Sequence, residues 1–197
     1  MIKLMLDPGH GGSDPGAMYG GLEEKDITLR IASMVKQCLF GFEFDVQMTR
    51  TDDSFPALKD RVALANTWKA DYLVSIHCNA DPDEDLPGMH EAHGEEIWYH
   101  ERGKLLAEMI GWGLQTELPA EPWRGIKQGN LYVTRDCQNG IHGLCAGPRI
   151  NCPSALVETA FIDTSASVRR LSNPTDRVKI ARGIVRGLLR IGGTHDV

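Results

Sequence analysis

The 197-residue sequence carries no basic excess. Its 21 Lys and Arg stand against 27 Asp and Glu, for a net charge of −6. A nucleic-acid partner demands a basic footprint that neutralises phosphates, so nucleic acid is excluded as the main partner. Attraction to an anionic surface by bulk charge is excluded for the same reason. No apolar run is long enough to span a bilayer, so no membrane insertion is expected. The start, MIKLMLDPGH, is too short in its apolar part for a signal h-region. The expectation is a chain made in the cytoplasm without a signal peptide, or a domain excised from a longer exported protein. The five cysteines, Cys38, Cys78, Cys137, Cys145 and Cys152, include no CxxC pair, which excludes a zinc ribbon or a thioredoxin-like motif. They read as free thiols, with one local disulfide within 137–152 as the alternative. A GxSxG elbow, a GxxxxGK[ST] phosphate loop, internal repeats and low-complexity tracts are all missing.

What is present is an ordinary globular composition, 42% hydrophobic and 24% charged, in a length that suits one domain. Short apolar runs read as strands: KLMLD (3–7), FDVQMTR (44–50), YLVSIH (72–77), EEIWYH (95–100), LYVTR (131–135) and ALVETAF (155–161). YLVSI and ALVE are nearly continuous in apolarity, as in a parallel sheet covered on both faces. Helical periodicity fills the intervals 24–40, 57–69 and 102–117. A last helix starts at Asn173-Pro174, carries the stripe Val178, Ala181, Val185 and Leu188, and stops at Gly192-Gly193. The alternation argues an α/β fold with a mainly parallel sheet and helices on both faces. The domain is expected to span 1–192, with 193–197 as a tail that begins a linker. Two long loops, 79–94 and 136–153, invite a functional reading.

Ligands of an open α/β sheet bind beyond the carboxyl ends of its strands. Three polar residues interrupt apolar runs at that edge: His10 after KLMLD, His77 at the end of YLVSI, and Glu158 at the end of ALV. Glu23 and Glu24 open the first helix, whose N-terminus faces the same rim. Two imidazoles and one carboxylate suit a catalytic zinc with an open fourth position, and a second carboxylate suits a general base. Each residue alone has a plainer reading, such as a structural histidine or a first-turn carboxylate favoured by the helix dipole. Glu158 is the hardest to explain that way, because a carboxylate closing an apolar strand is costly unless paired or near a metal. HEAH (90–93) is one residue short of HExxH and is flanked by Pro87-Gly88 and Gly94, so it is not taken as a metal motif. Cys78, next to His77, should point to the opposite face as a core thiol.

Several ordered blocks resemble the zinc-dependent N-acetylmuramoyl-L-alanine amidases of the Amidase_3 type, which include phage endolysins and bacterial autolysins. These are LDPGHGGSDPGA (6–17), GLEEKDITLRIA (21–32), TRTDD (49–53), LKDRVALANTWKADYLVSIHCNA (58–80), EEIWYH (95–100), GIKQGNLYVTR (125–135) and PSALVETAFID (153–163). The resemblance implies a single α/β domain with a six-stranded, mostly parallel sheet flanked by helices. It implies one zinc ion held by His10, Glu24 and His77, with Glu158 as catalytic base; only the EKD block chooses Glu24 over Glu23. The implied substrate is peptidoglycan. The implied reaction hydrolyses the amide between the lactyl group of N-acetylmuramic acid and L-alanine, with Glu158 taking the proton of zinc-activated water. Asp14 and Asn79 lie in matching blocks and would orient a ligand, hold substrate, or serve local turns. The link at 136–152 is longer than the family pattern and would form either a groove wall or a surface insertion.

Two other readings stay open at this stage. One is a zinc peptidase acting within the stem peptide; the other is a wall-binding module with a dead site. A monomer is expected, delivered by a separate cell-wall-binding domain or released to the wall in phage fashion.

Overall fold

A computed structural model describes residues 1–80, 93–129 and 149–193. Its main sheet has six strands. They are β1 (Ile2–Pro8), β4 (Phe44–Met48), β5 (Tyr72–Asn79), β6 (Glu95–Tyr99), β7 (Trp123–Gln128) and β8 (Ser154–Phe161). A small antiparallel pair, β2 (Met18–Tyr19) and β3 (Leu22–Glu23), sits between β1 and the first helix. The helices are α1 (Glu24–Cys38), α2 (Leu58–Trp68), α3 (Lys104–Glu117), α4 (Ser165–Ser172) and α5 (Pro174–Ile191).

The strand order is β4-β1-β5-β8-β6-β7. The first four run parallel, β6 lies antiparallel to β8, and β7 runs parallel to β6. The mostly parallel α/β sheet expected from sequence is therefore observed, with one difference. The sixth strand is Trp123–Gln128, a segment of modest apolarity that the pattern did not mark, while the strand expected at 131–135 lies outside the described residues. An edge strand buries less and needs a weaker apolar signature than a central one. α4 was also missed; it is short, and Thr164 caps it by accepting from the Ser167 N–H.

Side chains alternate across the sheet. Leu4, Leu6, Val74, Ile76, Ala155 and Val157 enter the large core with Ile31 and Val35 of α1, Ile110 and Leu114 of α3, and Ile184 and Leu188 of α5. Helices α3 and α5 touch backbone to backbone: a Cβ on Gly113 would strike the Gly183 carbonyl. The buried stripe of α5 is centred on Ile180, Ala181, Ile184 and Leu188; Val178, expected within it, is exposed. The other face is thinner. There Met5 and Leu73 meet Val62 and Ala65 of α2, with Ile150 and Cys152. Cys38, Cys78 and Cys152 are free thiols, and Cys78 is buried in the large core, as expected. Cys137 and Cys145 lie outside the described residues. Among the described residues, no helix is long and apolar enough to cross a membrane.

Candidate metal centre

Parallel pairing brings the carboxyl ends of β1, β5 and β8 to one rim. Beyond β1 the chain turns at His10, whose φ of 58° is left-handed, a strained choice for a non-glycine residue. Two buried arginines hold that turn. Arg50 donates Nε to the Pro8 carbonyl at 3.1 Å and Nη2 to the Gly9 carbonyl at 2.8 Å. Arg61 donates to the carbonyls of Pro8 at 2.6 Å and His10 at 2.7 Å. Arg61 also pairs with Asp7 at 2.9 Å, and Asp7 accepts from Thr49 and Ser75 as well. Burial of Asp7 works against its charge, but Arg61 and these donors outweigh it and hold the carboxyl below its usual range. The neighbouring glycines leave room: a Cβ on Gly9 would fall within the His77 ring, and one on Gly16 would lie 2.6 Å from Glu24 Oε2.

Glu24, the first residue of α1, reaches between the two imidazoles. Its Oε2 is 3.1 Å from His10 Nε2 and its Oε1 is 3.0 Å from His77 Nδ1. The carboxylate also accepts from the Ala17 N–H at 3.0 Å and the Cys78 N–H at 2.9 Å. Burial would raise its pKa, but hydrogen bonds and charge from His10 and His77 drive it far down. His10 is shifted the other way. Its burial opposes a charge, but the carboxylates of Glu24 and Asp14 prevail and lift it to about 9. Asp14 Oδ2 lies 2.9 Å from His10 Nδ1, which leaves Nε2 as the atom turned to the centre. Asp14 also accepts from the Gly16 N–H at 3.1 Å, so it serves the turn and the imidazole together.

The ligating atoms of His10, Glu24 and His77 all lie within 4.8 Å of one another. Zinc bonds of about 2.0–2.2 Å put tetrahedral ligands about 3.4 Å apart, and the donor set of two nitrogens and one oxygen is one zinc accepts. The three residues therefore fit such an ion. Glu23, the alternative carboxylate, sits in β3 and pairs instead with Lys25 at 3.4 Å.

Glu158 stands beside His77, its direct register partner on β8. Its Oε2 is buried and has no hydrogen-bond partner among the described residues. Burial lifts its pKa to about 7; the positive charge of His77 opposes this, while Glu24 and Glu96 add to it. A cleft of about 180 Å³ opens at the centre, lined by His10, Asp14, Phe55, Leu58, Arg61 and His77 among others. All four residues singled out from sequence thus share one rim. His90 lies outside the described residues, His93 is exposed, and most of 136–152, read from sequence as a groove wall or a surface insertion, lies outside them too.

Sequence reading missed Glu96. It pairs with Glu158 across β6 and β8 and is buried. Its Oε1 accepts from Asn79 at 3.1 Å and from Trp98 Nε1 at 2.8 Å, and its Oε2 accepts from Arg124 at 2.9 Å and Lys127 at 2.6 Å. The available signal was a carboxylate pair opening the otherwise apolar run EEIWYH.

An open α/β sheet with a His–Glu–His cluster on its carboxyl rim and a half-buried carboxylate one strand away defines a class: an α/β protein with a metal-capable centre of hydrolase type. Comparison with known proteins narrows it. The family model for N-acetylmuramoyl-L-alanine amidase, Amidase_3, matches residues 4–190, and the chain belongs to this enzyme family. The sporulation-specific N-acetylmuramoyl-L-alanine amidase of Bacillus subtilis is 32% identical over 193 residues, covering 95% of this chain and 67% of the relative. The endolysin of Bacillus phage SPP1 is 33% identical over 193 residues, covering 97% of this chain and 66% of the relative. Among solved structures, the N-acetylmuramoyl-L-alanine amidase AmiC2 of Nostoc punctiforme superposes with a TM-score of 0.84 at 30% identity, covering 98% and 97% of the two chains. The catalytic domain of CwlV from Bacillus (Paenibacillus) polymyxa gives 0.85 at 26% identity, covering 99% and 100%.

Proposed function

We propose that this chain hydrolyses the amide between the lactyl group of N-acetylmuramic acid and the L-alanine of the peptidoglycan stem, with zinc held by His10, Glu24 and His77. The observation that carries the proposal is the pairing of this metal-capable cluster with a carboxylate on the adjacent strand whose buried Oε2 has no hydrogen-bond partner among the described residues. Zinc bound there supplies Lewis acidity toward the scissile carbonyl and an acidified water. Glu158, lifted to about 7 by burial, is poised to accept a proton at Oε2 and to return it to the leaving nitrogen. Glu24 stays ionised; without the ion its two oxygens bridge the two imidazoles, and those same oxygens and nitrogens would be the ones to hold it. Asp14 fixes the tautomer of His10 through Nδ1. The net charge of −6 gives no drive toward an anionic wall, which favours a separate wall-binding domain or partner for delivery.

The test joins metal analysis of the purified protein with mass spectrometry of digested cell walls. Zinc near one equivalent and whole stem peptides freed from glycan are expected. Products cut within the stem would turn the reading to a peptidase; wall binding without product would turn it to a dead module.

A further inference from the structure

The rim continues past Glu158 onto β6 and β7, and the groups gathered there are cationic. Glu96, buried on the same face as Glu158, takes four donors: Asn79, Trp98, Arg124 and Lys127. One cation would suffice to neutralise it. Two are present, so the cluster carries one net positive charge, and both heads remain about one-third exposed. Arg124 is anchored through Nε alone, with its guanidinium stacked 4.8 Å over the Phe161 ring. Among the described residues, its Nη1 and Nη2 meet no acceptor. A guanidinium fixed at Nε presents a planar fork of N–H donors, the geometry that grips a carboxylate in bidentate fashion. Lys127 is likewise held over the Trp98 ring at 5.2 Å.

We infer that Arg124 and Lys127 form a subsite for a carboxylate of the substrate's peptide, on the residue that follows the L-alanine. The inference rests on the amidase reading of the site. If Glu158 returns its proton to the leaving nitrogen, that nitrogen lies over β8, and on this inference the stem it carries runs toward the next strands, β6 and β7, where the cations stand. Cross-strand partners such as Glu96 and Glu158 stand about 5 Å apart at Cβ, and the cationic heads lie 2.9 and 2.6 Å from the Glu96 carboxylate. A carboxyl one residue beyond the L-alanine lies about 7 Å from the scissile nitrogen at ~3.5 Å per residue, which matches that reach. The ligand class is an acidic peptide.

The experiment uses two disaccharide–tetrapeptide substrates that differ only in whether the second stem residue, a D-glutamyl group, has a free or an amidated α-carboxyl. The wild-type chain should cleave the free acid with kcat/KM roughly tenfold higher, the size of one charge-assisted hydrogen bond. Arg124→Gln and Lys127→Gln, each leaving one cation on Glu96, should bring the acid-to-amide ratio toward one. Arg124→Lys, which keeps the charge and loses the fork, should fall between. Because each ratio is measured within one preparation, loss of folded protein cancels. Equal rates on both substrates by the wild type, or a preference that survives both Gln variants, overturns the subsite and leaves the amidase reading standing. Cleavage of neither substrate overturns both.

Discussion

Glu24, buried, and Glu158, half-buried with its Oε2 shielded from solvent, are carboxylates on one rim, on either side of His77, and their surroundings push them apart. Glu24 is saturated: two imidazoles and two backbone N–H groups converge on it, and its pKa is driven far down. Glu158 has an oxygen with no partner among the described residues, and burial lifts it to about 7. On the proposed function, the fixed negative charge at the α1 start would hold the cation, and the carboxylate at the β8 end, lifted to about 7, would exchange the proton. Pairs of titratable groups whose environments pull them apart mark a division between ligand and acid–base roles.

The contrast breaks most completely at the centre. His77→Ala removes one of three metal-capable ligands and is expected to lose both zinc and cell-wall turnover, read by metal analysis beside a turbidity assay. Glu158→Gln should keep its zinc and lose about 10²–10⁴-fold in kcat, the size of a general-base contribution. Its pH dependence follows from sign. Only ionised Glu158 accepts a proton, so turnover should fall as pH is lowered through about 7, with a bound cation moving that limb lower. The stability effect runs the other way. Since burial raises the folded pKa, ionised Glu158 costs stability at pH values above it. Metal-stripped Glu158→Gln should therefore melt higher than the wild type at pH 8, whereas Glu24→Gln should melt lower.

Asp7, paired with Ser75 across β1 and β5, sharpens the comparison because it is saturated like Glu24 but has no role in the proposed chemistry. Replacing it strands the Arg61 charge, which is 1% exposed. Asp7→Asn should cost about 3–5 kcal/mol in urea unfolding at pH 7. A carboxylate whose folded pKa is depressed contributes stability above its unfolded value, near 3.8, and loses it as pH falls through the lower folded value. The wild type should thus lose stability below about pH 4 more steeply than Asp7→Asn. A parallel decline in the two proteins would mean that Asp7 is not the titrating group.

Much of this was legible before any coordinates. Apolar strands that end in His10, His77 and Glu158 announce a polar rim, because a parallel sheet buries the rest of each strand on both faces. Glu24 was half legible: helix periodicity placed a carboxylate at the start of α1, but nothing physical separated it from Glu23, and the family blocks made that choice. The β6–β7 side was not legible. Glu96 reads as one more polar residue until antiparallel pairing sets it opposite Glu158, and Trp123–Gln128 lacks the apolar run that marks a buried strand. The Arg50 and Arg61 clamp stayed hidden for a similar reason, since arginines on loops and helices usually face solvent and only tertiary packing reveals the carbonyls they hold.

The smallest expected effect belongs to Asp14, which touches the centre only through His10. Its carboxylate is partly exposed and lies 2.9 Å from Nδ1, so it acts on the tautomer and the ring angle and leaves the ligand set intact. Asp14→Asn keeps the size of the side chain and can still accept from the Gly16 N–H, but it removes the negative charge that favours Nδ1–H and so presents Nε2 to the metal. Outer hydrogen-bond partners of this kind contribute about 10–100-fold in metal affinity. Competition against a chelator should show zinc bound within that range more weakly, with thermal unfolding of the metal-stripped protein changed by less than the loss caused by Asp7→Asn. Unaltered affinity would assign Asp14 to the turn alone. A loss as complete as that of His77→Ala would show that the left-handed turn at His10 depends on Asp14 as well as on the two arginines.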